Sequence, residues 1–362
     1  MASLTASLLA RGLVVERDAV AAGVGRPPRM LSLARPSRLV GVVSAGEPAT
    51  TASLLTFSGE VVASDSGLPA QDVKEPPVLT APAGDLPAAA ARQYRGRLAL
   101  VESAAGLLAA AMRESGLPAD RLAAVVVDVQ RHVSPAESAG LATEIDGKRV
   151  PVRIENDANL GALGEAAFGA GRGLDSLVYV KLGRNVGAGL ILGGRLVRGA
   201  AGFAGELAHV QARGETGEGA VCICGGRACL ATLVGPSLVE FVEHAYSQRL
   251  ALSEVLALAA DRDPAVSRVF NDIGRIIGRP LADLCTMIDP AAIVVDSTLG
   301  SAGELVLAGI RESIGRHAAP VVADSIRVIP GELGEQAEAL GGVALARPSQ
   351  LAVRLPAAAR PA

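Results

Sequence analysis

The chain has 362 residues, enough to bury a large core and to form two domains. Half of the residues are hydrophobic, yet only 2% are aromatic and Trp is absent, so a core of Ala, Val and Leu is expected. A net charge of −3 excludes a global basic field for nucleic acid, and no apolar run reaches the roughly 18 to 20 residues of a membrane span. The start, MASLTASLLARGLVVE, lacks the basic opening and cleavage site of a secretory signal, so a cytoplasmic location is expected.

Leu4, Leu8 and Leu9 give residues 2–11 the spacing of a helix face, which Gly12 stops. LVVE, and MLSL after AGVGRPPR, read as two short strands. Residues 39–63 read as two further strands of a hairpin. The Pro-, Gly-, Asp- and Ala-rich stretch from 65 to 90 reads as a surface connection. Residues 99–118 predict an amphipathic helix ended by Gly116 and Pro118, and LAAVVVDV at 122–129 a buried strand. His132 reads as a surface histidine in the polar stretch that follows.

Residues 150–171 predict a strand, a turn and a helix, with Asn156 and Asp157 where the strand gives way to the helix. That is a common place for ligand chemistry in α/β folds. Asp157 serves there either as a helix N-cap or as a ligand contact. Residues 176–197 alternate as a β-hairpin turning at Gly193-Gly194. Within it, Gly183, Gly187 and Gly189 read either as structural turn glycines or as backbone contacts to phosphate. Glu206 and His209 stand three apart, on one face of a helical turn.

The strongest chemical signal comes next. His209, Cys222, Cys224 and Cys229 are spaced H-x12-C-x-C-x4-C, with three of the four cysteines inside eight residues. One imidazole and three thiolates suit a tetrahedral structural zinc site. The other reading is a set of reduced cysteines in a Gly-rich loop. Beyond it, residues 237–288 read as largely helical, with Cys285 a core residue on the apolar side. A strand at 291–296, a helix at 303–320, a strand at 325–331 and a helix at 333–346 complete the pattern. The Pro/Ala-rich tail from 347 is expected to be disordered.

In this order and spacing ENDAN, the glycine-rich hairpin, AGELAH and CxCGxxxC resemble the ROK family of sugar kinases and sugar-responsive transcriptional repressors, over about residues 8 to 346. The resemblance implies an actin-like, ribonuclease H-like α/β fold of two domains with a sugar cleft between them. The divisions it implies are a partial winged-helix DNA-binding remnant at 1–36 and a first actin-like domain at 37–154, rejoined by helix 333–346. A second domain with the zinc site follows at 155–332, then the tail at 347–362. Asn156, Asp157, Glu206 and His209 would contact sugar, with Asp157 the general base in a kinase, while His209 would also bind the structural zinc. Arg26 and Arg29 would lie in a wing and enter a minor groove; an N-terminal helix and hairpin without a DNA role is the other reading.

Several positions depart from the kinases of the family. Their D-x-G-G-T pattern reads Val43, Ser44, Ala45, Gly46 and Glu47 here. Their Thr-Gly in the second phosphate loop reads Arg184-Asn185, and the Gly-Gly against adenosine reads Asp296-Ser297. A further sugar-binding Glu is replaced by Ala231. Neither ATP nor magnesium is therefore expected as a cofactor. The chain is expected to be a regulator, a repressor of carbohydrate genes, with an ATP-dependent hexose kinase or a vestigial sugar-binding protein as the alternatives. Its expected partners are a sugar or sugar phosphate, DNA where the winged helix is complete, and further copies in a homodimer or homotetramer; no membrane is expected.

Overall fold

The computed structural model describes residues 14–18, 29–33, 38–45, 50–67, 88–130, 133, 141–183, 186–212, 220–222, 224–234, 242–243, 246 and 249–347. Two large sheets, a separate two-stranded hairpin, and the helices between and around the large sheets make up the described chain. The six-stranded sheet runs in the order β5 (Val61–Gly67), β4 (Thr50–Thr56), β3 (Leu39–Ala45), β6 (Leu122–Val129), β8 (Lys148–Asn156) and β7 (Ala142–Ile145). Its centre, β3-β6-β8, is parallel, and its edges are antiparallel hairpins. The five-stranded sheet runs β11 (Arg195–Leu196), β10 (Gly187–Leu192), β9 (Leu177–Lys181), β12 (Ala292–Val295) and β13 (Arg327–Pro330). Here β9, β12 and β13 are parallel. A separate hairpin pairs β1 (Val14–Asp18) with β2 (Arg29–Leu33).

The central parallel strands β3, β6, β9 and β12 are mostly Val, Ile and Leu and are buried on both faces, as strands covered by helices on each side must be. By contrast, β8 alternates buried and exposed residues, and β13 is exposed at its ends. Helix α1 (Ala88–Glu114) covers one face of the first sheet, where Val101, Ala104 and Leu108 meet Val43, Leu54 and Val127. Between the sheets lie α2 (Asp157–Phe168) and α8 (Ala337–Ala346). Leu160, Leu340 and Val343 pack on Val40, Val42 and Val126 of the first sheet. On the other side of α2, Ala162 packs against Leu177 and Val294 of the second. The far face of the second sheet is covered by α5 (Pro264–Ile288) and α6 (Ser301–His317) through Phe270, Ile273, Ile277 and Ile310. Each such side chain contributes about 1.5–3 kcal/mol on burial. Three shorter helices are also described: α3 (Leu230–Leu233), α4 (Leu252–Ala260) and α7 (Pro320–Ser325). No helix among the described residues is long and apolar enough to cross a membrane.

Most of the expected elements are present, with informative differences. The helix expected at 99–118 starts eleven residues earlier, at Ala88, because the Ala-rich run before Leu98 favours helix despite the turn-like composition upstream. The hairpin expected to turn at Gly193-Gly194 is a three-strand meander. Gly193 and Gly194, at φ 57° and 70°, make its second turn, between β10 and β11. The polar stretch around 142–148 holds β7, joined to β8 through Asp146-Gly147. Cys285 is fully buried and burial pushes its thiol up to about 12, so it is a core residue as expected. The expected helix at 2–11, His132, Arg26, Glu47, the loop residues Arg184 and Asn185, and the tail from 348 lie outside the described residues.

Candidate functional site

The carboxyl ends of β3, β6, β8, β9 and β12 converge, and α2 begins there. This is where ligands bind in open α/β sheets. Asn156 ends β8 and caps α2, its Oδ1 accepting from Asn159 N at 3.1 Å. The capping role considered for Asp157 therefore falls to its neighbour. Asp157 stands in the first turn, where the helix dipole favours a carboxylate. Its Oδ2 lies 3.1 Å from Lys181 Nζ at the end of β9, and the same ammonium pairs closely with Glu338 on α8. Lys181 thus joins the second sheet to both central helices. Burial lowers its basicity, but the charges of Asp157, Glu338 and Asp128 outweigh that and hold its pKa above the ordinary value.

Asp128, near the end of β6, was not singled out by sequence. It is 6% exposed, stands opposite Ser44 in the β3–β6 pairing, and its Oδ1 has no hydrogen-bond partner. Burial, and then the charge of Asp157, push its pKa up to about 8. It is therefore mainly an uncharged acid at neutral pH. Asp296, just past β12, is 3% exposed and accepts from Thr298 N at 2.9 Å and Thr298 Oγ1 at 3.0 Å; burial holds its pKa above the usual carboxylate range. Val43 is fully buried against α1 and offers no group to the cleft.

A polar pocket of about 30 Å³ is lined by Asn156, Asn159, Gly187, Ala188, Gly202, Ala204, Gly205 and Glu206. That is the space of one or two waters, so a sugar enters only if the walls move apart. Three of the expected sugar contacts, Asn156, Asp157 and Glu206, lie in or beside it. Asn159, missed by sequence, donates to Glu155 Oε1 at 2.9 Å and keeps an unpartnered Oδ1. Glu155 is in turn held by Arg198, through Nε and Nη2 at 2.7 Å each. Gly189 is fixed by packing, because a Cβ there would collide with Ala158 O of α2. Gly187 lines the pocket and Gly183 follows β9. A larger groove of about 300 Å³, mostly apolar and bounded by Phe203, Val210 and Met287, shares Glu206 with this pocket and lies against α5.

His209 closes a short helical turn over Leu207–His209, its N–H donating to Glu206 O at 3.1 Å. Its Nδ1 lies 3.6 Å from Cys222 Sγ, and Cys224 Sγ lies 3.6 Å from Cys229 Sγ. All four donor atoms are within 4.8 Å of one another. A tetrahedral metal with bonds of about 2.3 Å to sulfur separates its ligands by about 3.8 Å, so these residues could hold one ion. Gly226 N donates to Cys224 Sγ at 3.4 Å, which favours its thiolate and lowers its pKa. Burial and the neighbouring thiols push Cys229 up to about 11, a strain that a bound cation would reverse. Arg29 begins β2, away from these groups in sequence and in sheet.

The ROK family profile matches residues 46–349. The chain belongs to the ROK family. Among curated relatives, it is 29% identical over 192 residues to a xylose repressor of Bacillus subtilis (strain 168), covering 53% of this chain and 49% of the repressor. It is 33% identical over 222 residues to a glucokinase of Streptomyces coelicolor, covering 55% of this chain and 68% of the kinase. The chain thus spans about half the length of the xylose repressor it matches. Among solved structures, a ROK family transcriptional regulator described as a homolog of the E. coli MLC protein superposes with a TM-score of 0.65 at 20% identity, over 95% of this chain and 87% of that one. A ROK family glucokinase from Streptomyces griseus, in complex with glucose and AMPPNP, gives 0.60 at 24% identity over 85% and 98%. Both sheets and the central helices accordingly belong to the two-sheet, actin-like α/β architecture of these proteins.

Proposed function

We propose that the chain is a sugar-responsive ROK transcriptional regulator, a repressor type, whose cleft binds sugar without transferring phosphate. The observation that carries this reading is the ion pair of Asp157 with Lys181, itself held by Glu338. A general base must be free to accept a proton from its substrate. Here the carboxylate in that place already has a cationic partner, at 3.1 Å. Val43, buried against α1, offers no group to hold a hydrated cation at the neighbouring strand end. Asn156, Asp157, Glu206 and the free ring nitrogen of His209 would contact the sugar. The His209, Cys222, Cys224 and Cys229 set would hold a structural zinc that braces one wall of the pocket, and thiols kept reduced for it fit a cytoplasmic location.

In the same reading the β1–β2 hairpin is the wing of a winged helix, with Arg26 and Arg29 at the DNA, and the protein is a homodimer or homotetramer. Its first actin-like domain is 37–154 with 333–346, and its second is 155–332. The test is twofold. Purified protein supplied with magnesium, ATP and a sugar panel is expected to release no ADP above background. A full-length dimer is expected to retain a palindromic operator and to release it on adding sugar. ADP release would instead establish the hexose kinase reading, which the glucokinase similarity favours.

A further inference from the structure

The cleft contains one arrangement that neither binding nor catalysis by itself requires. Asp157 begins α2, Glu338 lies on α8, and the two helices pack together between the sheets. Both carboxylates reach the same nitrogen, Lys181 Nζ, projecting from the end of β9. Lys181 and both partners are largely enclosed, with side chains 21% and 14% exposed. Across from them Asp128 keeps an unpartnered oxygen at 6% exposure. Three carboxyl groups therefore surround a single positive charge. Lys181 pairs with Gly187 across β9 and β10, and its partner Asp157 follows Asn156 in the chain. Gly187 and Asn156 both line the polar pocket, so the residues of the cluster adjoin it.

Oxygen ligands of this kind, two carboxylates within reach of one point and a third nearby, are what a hard divalent cation binds. An ammonium supplies one charge and three donors at the same point without any exchange with solvent. We propose that Lys181 determines which ligands the cleft accepts, its ammonium standing where a divalent cation would bind and so keeping out metal-bound phosphates while leaving the pocket to an uncharged sugar. Lys181 is a specificity-determining residue: it sets the charge and occupancy of the cleft and takes no part in a reaction. This rests on reading the cleft as a binding site, and it names the residue that makes it one.

Manganese binding to the metal-loaded full chain, followed by electron paramagnetic resonance, tests the inference independently of DNA or ADP. The wild type is expected to take up no manganese at the cleft. Lys181→Ala, which removes the ammonium and leaves the carboxylates, is expected to gain about one site per chain, at least tenfold tighter than any wild-type binding. Adding Asp157→Asn to Lys181→Ala is expected to abolish that site, which separates it from adventitious surface binding. Manganese bound equally by wild type and Lys181→Ala, or by Lys181→Ala regardless of Asp157, overturns the proposal. Should Lys181→Ala fail to fold, Lys181→Gln, which is one atom shorter and uncharged but still donates hydrogen bonds, is measured in the same way. ADP release by the wild type would sink the binding-site reading whatever the manganese result; a manganese failure alone leaves that reading standing and removes only the role of Lys181.

Discussion

His209, Cys222, Cys224 and Cys229 bring together four metal-type donors within 4.8 Å, all of them able to bind the same ion. Asp128, Asp157 and Glu338 likewise converge, but on Lys181. The first group lies partly at the surface on a loop tied by Gly226, and a cation from outside could relieve the crowding of its thiols. The second lies at buried strand ends and carries its cation on the chain. The difference decides what each can do. Four donors that could take an ion would let loading brace the pocket wall, whereas a cluster that already carries its own cation is a fixed feature of the cleft.

The comparison breaks most visibly at the cysteines. Cys222→Ser is expected to abolish stoichiometric metal binding and to lower the melting temperature by about 5 °C or more, as metal analysis and calorimetry would register, because ligand and folding free energies are linked. Wild type that purifies with much less than one metal per chain would remove the contrast altogether. Next in size is Lys181→Met, which leaves Asp157 and Glu338 facing each other without compensation. Loss of one partner from a buried pair costs about 3 kcal/mol, reduced here because Lys181 keeps some exposure. Denaturant unfolding would measure it, and the extra mutation Glu338→Gln should restore part of the loss.

Glu165→Ala is expected to cost about 2 kcal/mol. Its buried carboxylate accepts from Ala170 N, Glu332 N and Leu333 N at 2.7, 3.2 and 3.0 Å, all of which would lose their partner. Asp128 sharpens the comparison through pH. The unfolded chain gives up its proton near pH 3.8 and the folded protein only near 8. Between those values the folded state binds more protons, so stability falls as pH rises through that window and levels off above it. Asp128→Asn should melt several degrees higher than wild type at pH 8.5, with the gap closing toward pH 4. The smallest effect is expected for Asn156→Ala, about 1 kcal/mol from the lost helix cap.

The fold was largely legible because its strands are short apolar runs punctuated by glycine and its helices carry regular apolar faces. The four metal-type ligands could be found from spacing alone, since local sequence brings Cys222, Cys224 and Cys229 together. Asp128 and Lys181 were harder. Each is a charged residue at the end of an otherwise apolar strand, VVVDV and LVYVK, and that interruption was the available signal. What it could not supply was the partnership, because Lys181 meets Glu338 across 157 residues of sequence. The β7 strand had its own overlooked sign in Asp146-Gly147, a hairpin turn pair followed by the alternating apolar residues Val150, Val152 and Ile154 of β8.

Helix α8 has a consequence for how the molecule is made. Its backbone touches that of α2 so closely that a side chain at Gly341 would strike Leu160 O, and one at Gly164 would strike Ala337 O. It also closes the face of the first sheet formed by Val40, Val42 and Val126, and Arg347 just beyond it donates to Phe57 O, 290 residues away in sequence. During synthesis the strands of that sheet leave the ribosome long before the helix that covers them. Their apolar face must wait through the translation of the entire second sheet, a delay that exposes it to self-association and gives chaperones their opportunity.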